Sequence, residues 1–123
     1  MNTTDQRKSA GMVHVPWYAT GFRGDALEYA LAKITPISLR YGALSYMVYR
    51  LRDDRYRMLQ IIEFEHKEDW DRFWYGDEFV DMRGQCSGWY QVPVLYTWAD
   101  LTTSGSMPGA TTPGLAVVEG NGS

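Results

Sequence analysis

Between Val13 and Phe22, β-branched and aromatic residues crowd together, the composition of a strand, and Pro16 predicts an irregular strand or a sheet edge. Gly24 and Asp25 then open a helix in which Ala26, Leu27, Ala30, Leu31 and Ile34 recur at helical spacing. Asp25 with Glu28 three residues on forms a capping-box-like pair. Pro36 predicts a kink or a restart of that helix, and Gly42 its left-handed end. Ala43 to Arg52 and Arg55 to Glu65 read as two strands joined by a tight turn at Asp53-Asp54, a hairpin. Glu68, Asp69 and Asp71 place negative charge where a helix N-terminus favours it. Trp70, Phe73, Trp74 and Asp77 share one stripe of this second helix, whose apolar face narrows near Gly76 and resumes at Phe79, Val80 and Met82. Gly84 and Gly88 bracket a loop, and Trp89 to Trp98 reads as the last strand.

The order is β-α-β-β-α-β, which predicts an α+β, ferredoxin-like sandwich with an antiparallel four-stranded sheet. Two helices cover one face of such a sheet. Both faces of the strands are nevertheless apolar. Strand two shows Leu44, Tyr46 and Val48 against Met47, Tyr49 and Leu51, and strand three shows Met58, Ile62 and Phe64 against Leu59 and Ile61. A solvated face alternates to polar, so a second copy packed sheet to sheet is expected, a homodimer closing an α+β barrel. The domain runs over residues 12–101. Residues 1–11 read as a flexible leader, and residues 102–123 as a flexible tail rich in Gly, Ser, Thr and Pro, interrupted by the apolar Leu115-Ala116-Val117-Val118. That segment has the design of a tethered peptide docking on a protein partner.

Composition narrows the classes. The 12 Lys and Arg against 15 Asp and Glu give a net charge of -3, which lacks the basic footprint of a nucleic-acid binder. The one cysteine, Cys86, rules out an internal disulfide scaffold. No apolar run is long enough to span a membrane and no signal-peptide pattern opens the chain, so a cytoplasmic location is expected. Aromatic residues make up 15% of the chain, material for a core, an interface or the wall of a small-molecule pocket.

The stretch Gly42-Ala-Leu-Ser-Tyr46-Met-Val-Tyr49-Arg50, the hairpin, and Glu63-Phe64-Glu65-His66-Lys67-Glu68-Asp69-Trp70-Asp71-Arg72-Phe73 resemble the antibiotic-biosynthesis-monooxygenase superfamily of dimeric α+β barrels. The resemblance covers about Val13 to Asp100. It implies the same fold and dimer, with activities that range from cofactor-free oxygenation to haem degradation. The haem-degrading branch has a pocket Trp where this chain has Phe64 and the haem-ligating His where it has Arg83, and the first strand here contains no Asn to match that branch's catalytic residue. A protonated guanidinium has no lone pair for iron, so that branch is not expected and no cofactor is implied.

Candidate site residues follow from side-chain chemistry within this frame. Arg83 closes the second helix, where a cation meets the helix dipole, and at the family's pocket position it would hold a carboxylate or enolate. His14 shares a strand face with Pro16, Tyr18, Thr20 and Phe22 and would serve as a general base, while His66 reads as part of a solvated helix start. Tyr18, Tyr46, Phe64, Trp74 and Trp89 are the expected walls for a small aromatic ligand, with core packing as the competing role for each. No zinc-type spacing of His and Cys appears, and no nucleophile elbow. Two readings result. The first is a cofactor-independent monooxygenase or related enzyme acting on an aromatic or polyketide-like molecule. The second is a non-catalytic dimeric ligand-binding or interaction module with a docking tail.

Overall fold

A computed structural model describes residues 10–109, so the residues 1–9 of the expected leader and the apolar segment 115–118 lie outside the described residues. The elements are β1 (Gly11–Tyr18), α1 (Gly24–Ile34), a 3₁₀ helix (Thr35–Tyr41), β2 (Ala43–Arg50), β3 (Arg57–Phe64), α2 (Lys67–Trp74), α3 (Asp77–Gln85) and β4 (Thr97–Asp100). All strand pairs are antiparallel and the sheet order is β2-β3-β1-β4, the expected ferredoxin-like α+β arrangement. Among the described residues no helix is long and apolar enough to cross a membrane.

The period of two decides which side chains meet the helices. Val13, Val15 and Trp17 of β1 stand opposite Ile62, Gln60 and Met58 of β3, and all six are buried. Above them pack Leu27 and Leu31 of α1, Trp70 and Phe73 of α2 and Phe79 of α3, none of them exposed at all. One polar group sits in the middle of this layer. The Gln60 carbonyl accepts from Trp17 Nε1 at 3.1 Å, its amide donates to Thr35 Oγ1 at 2.8 Å, and Thr35 Oγ1 donates to the Leu31 carbonyl at 2.7 Å. A buried amide is tolerated only when its donors and acceptors are matched, and this chain of bonds matches them across β1, β3 and the end of α1.

Several local expectations change. Asp25 and Glu28 do not cap α1, whose N-cap is Arg23 with no side-chain bond. Both carboxylates instead turn to the mostly buried Arg50, whose Nη1 lies 2.6 Å from Asp25 and 2.8 Å from Glu28. Charge-assisted bonds to a guanidinium are stronger than a bond to a helix N–H, so the cap is lost to the cation. Pro36 restarts the chain as a 3₁₀ helix, and Gly42 ends it with φ +102°, a left-handed backbone that glycine adopts without strain. The second helix breaks at Tyr75-Gly76 into α2 and α3. An unbroken helix would rotate Phe79 away from the stripe of Trp74, whereas the break puts their rings 5.0 Å apart in one core.

The last strand is much shorter than the sequence suggests. Only Thr97–Asp100 pairs with β1, opposite Gly11 to His14. Tyr90 makes an isolated bridge to Ala19, and the chain between leaves the sheet with Val92 and Leu95 exposed. Pro93 has no N–H for a ladder, and Pro16 lies in the matching stretch of β1 that β4 does not reach. β1 is therefore a central strand, not an edge. β1 starts at Gly11, directly after the buried Ala10, and residues 102–109 are exposed with no strand or helix.

Because Gln60 links three elements, replacing it should cost more than a surface change. Gln60→Ala is expected to lower unfolding stability by about 1–3 kcal/mol through the stranded Trp17 N–H and the lost volume, read as a shift of the urea midpoint. A midpoint unchanged within error would show that the chain of bonds does not hold the layers together.

Candidate functional site

The sequence-predicted residues separate onto three surfaces. His14 and Tyr18 lie on the face of β1 turned away from the helices, with Met12 and Pro16. On that face His14 stands opposite Ile61 of β3 and Thr97 of β4, and Met47 stands beyond Ile61 on β2. Among the described residues no helix covers this face. Phe64 and Tyr46 belong to the other face. Phe64 is wholly buried with its ring 6.2 Å from Trp70, and Tyr46 stands opposite Ile62 at the edge of the core. His14 and Arg83 are thus not brought together: the sheet separates them, because the strand alternation sends residues 14 and 18 outward while residues 13, 15 and 17 meet the helices. The expected ligand wall at Phe64 is a packed core ring.

Arg83 and Trp74 do meet. The Arg83 guanidinium lies 3.8 Å from the centre of the Trp74 ring and 4.9 Å from that of Phe79. Its Nη2 donates to the Trp74 carbonyl at 2.8 Å, while Nη1 is buried without an acceptor. No carboxylate forms an ion pair with it among the described residues. Burial pushes the guanidinium below its ordinary pKa, and an arginine side chain stays charged in proteins. Tyr90 completes the surroundings. Its hydroxyl donates to the Arg83 carbonyl at 3.2 Å, its ring meets Trp17 edge-on at 5.1 Å, and burial raises its pKa. Phe79 was legible as a partner from the sequence, since it sits four residues before Arg83 on one helix. Tyr90 was not, because its role depends on where the irregular chain after α3 runs.

Trp89 lies elsewhere, on a groove of about 540 Å³ between α1 and α3. Ala26 and Ala30 leave the space on the α1 side, and Ile34, Met82 and Cys86 make the walls apolar. Lys33 stands on one rim and Asp81 on the other. Cys86 is buried, and burial raises its thiol pKa above the ordinary value. Spacing on α3 explains the division. Met82, Gln85 and Cys86 face the groove, and Phe79 and Arg83 face the other flank. Among the described residues no three His, Cys, Asp or Glu side chains gather as a metal site.

No protein-family profile and no curated protein matches the chain. Solved structures do. A Nitrosomonas europaea protein provisionally described as an antibiotic biosynthesis monooxygenase aligns with TM-score 0.69 at 14% identity, over 76% of this chain and 90% of its own. A conserved protein from Methanosarcina mazei Go1 aligns with TM-score 0.70 at 13% identity, over 80% of this chain and 99% of its own. A further protein described as an antibiotic biosynthesis monooxygenase gives TM-score 0.67 at 11% identity, over 76% and 99%. At such identities the likeness is one of fold alone, and it agrees with the ferredoxin-like arrangement of the strands and helices.

The position of α3, which both the groove and Arg83 depend on, is braced from the 3₁₀ helix. Tyr41 donates to Glu78 at 2.6 Å, and Arg40 lies 3.3 Å from the same carboxylate. The Tyr41 bond holds Glu78 below its ordinary 4.5 and raises Tyr41 above its ordinary 10.0. A depressed acid stabilises the fold above its unfolded pKa and loses that as pH falls through the folded value. A raised phenol stabilises below its unfolded pKa and loses that as pH rises through the folded one. The stability difference between the native chain and Tyr41→Phe should therefore be constant from about pH 6 to 9 and shrink on both sides. A difference independent of pH from about 3 to 11, measured by thermal unfolding, would remove the bond from the account.

Proposed function

We propose that this chain works as a homodimer and acts without a cofactor on a small aromatic or polyketide-like molecule ionised at oxygen, as a monooxygenase or related enzyme. The observation that carries the reading is Arg83, a half-buried cation stacked on Trp74 and Phe79 with a buried Nη1 that has no acceptor. A permanent cation between aromatic faces suits a phenolate or enolate, because it stabilises the anion by charge and leaves the rings to stack on the body of the ligand. The names given to the structural neighbours support the same chemistry. Trp74 and Tyr90 would be ligand walls beside Arg83, while His14, on the outer face of the sheet, takes no part as a general base at this site.

The dimer reading rests on the uncovered sheet face. Met12, Met47, Leu59 and Ile61 lie on it only half-buried, an apolar surface that a second copy would cover sheet to sheet. The non-catalytic reading draws on a different observation, the packing of Phe64, Trp70, Trp74 and Phe79 into one ring cluster, which fills the space between sheet and helices.

Native mass spectrometry is expected to give a dimer for the full chain and a monomer for Ile61→Asp; a native monomer would overturn the dimer. An aryl carboxylate such as 1-hydroxy-2-naphthoate serves as probe for the Arg83 site. Loss of a charged hydrogen bond predicts binding at least about tenfold weaker in Arg83→Gln, followed by tryptophan fluorescence. Equal affinity would sink the assignment. Oxygen uptake with the probe bound would favour the enzyme, and binding with no uptake the module.

A further inference from the structure

We propose that the groove between α1 and α3 is the docking site of the chain's own apolar segment, residues 115–118. The groove has apolar walls in Ile34, Met82, Cys86 and Trp89, and nothing among the described residues fills it. Residues 101–109, which follow β4, are all exposed. Of the 13 residues from Thr102 to Gly114, 11 are Gly, Ser, Thr or Pro, and Leu115, Ala116, Val117 and Val118 come directly after them.

Topology puts the tether at the right end. β4 finishes at Asp100 opposite Gly11, the start of β1, and Gly11 stands opposite Phe64, which in turn stands opposite Ala43 at the start of β2. The 3₁₀ helix Thr35–Tyr41, which carries Ile37 of the groove, leads into β2 at this same pole. The chain therefore leaves the sheet at the pole where the groove's Ile34–Ile37 end lies. Fifteen residues from Asp100 to Leu115 reach up to about 50 Å when extended. The groove runs along α1, whose 11 residues span only about 16 Å. Reach is therefore ample, and a flexible tether of this kind holds its segment at a local concentration on the order of millimolar, so even weak apolar docking is populated. The proposal does not depend on Arg83, which lies on the other flank of α3.

Cys86, the one cysteine of the chain, is itself buried, so the reporter is placed at the half-buried Ala30 on the α1 wall of the groove. In the protein carrying Cys86→Ala and Ala30→Cys, a maleimide dye should label position 30 at least about tenfold more slowly than when Leu115→Asp and Val117→Asp are added, and a peptide of residues 110–123 added to that last variant should slow labelling again. Equal rates in the two proteins would overturn the proposal, leaving the groove open for a small molecule. Protection that grows with protein concentration would also overturn it, since the occupant would then be the segment of a second copy. Amide exchange in the unaltered chain gives a check that needs no variant. Residues 115–118 should exchange at least about tenfold more slowly than in the free peptide, and exchange at the peptide rate would refute docking.

Discussion

The buried amide of Gln60 governs how the two layers of this protein sit on one another. It is a polar side chain in the middle of the helix-facing side of the sheet, where every unmatched donor or acceptor is costly. Its carbonyl fixes the indole of Trp17, and its amide fixes the hydroxyl of Thr35, which turns back onto the Leu31 carbonyl. The orientation of Trp17 then sets the ring cluster, since Trp74, Phe79 and Tyr90 all pack on it. The position of Thr35 sets where α1 gives way to the 3₁₀ helix and so where the chain enters β2. One matched side chain thus ties the core, the end of α1 and the approach to the edge strand.

The break at Gly76 has the second largest consequence. It turns α3 so that Phe79 joins the core, and by doing so it divides the remaining side chains of α3 between two flanks. On one flank Arg83 becomes a cation stacked on two rings, with no ion-paired acid among the described residues. On the other, Met82 and Cys86 face α1 across a gap that the small side chains of Ala26 and Ala30 leave open. The candidate chemistry and the candidate docking surface are two results of one helix rotation. The sheet's opposite face takes no part in either, and its Met47, Leu59 and Ile61 are left only half-buried.

Local rules carried the sequence reading where few contacts compete with them. Pro36 forced a restart because it lacks an N–H, and Gly42 ended it because a left-handed backbone suits glycine. The same rules failed where a distant partner outbid them. Asp25 and Glu28 have the spacing of a cap, yet Arg50, 25 residues from Asp25, takes both carboxylates. The alternation from Tyr90 to Trp98 has the period of a strand, yet only its end pairs, because Pro93 and Pro16 interrupt the ladder from both sides. The candidate site was legible in part for the same reason. Arg83 stood out because the resemblance places it at a pocket position, whereas its contact with the Trp74 carbonyl follows from the turn at Gly76.

By itself the sequence determined the order of the elements, the ferredoxin-like topology and the apolar character of both sheet faces, because strand and helix periods depend on neighbours a few residues away. Only the tertiary structure decided which aromatic residues are core and which line open space, that His14 and Arg83 lie on opposite sides of the sheet, and that Cys86 and Trp89 share a groove with α1. Those outcomes depend on the rotation of each element about its axis. That rotation is set by ring packing and by bonds between residues tens of positions apart, such as Trp17 with Gln60, which no local pattern encodes.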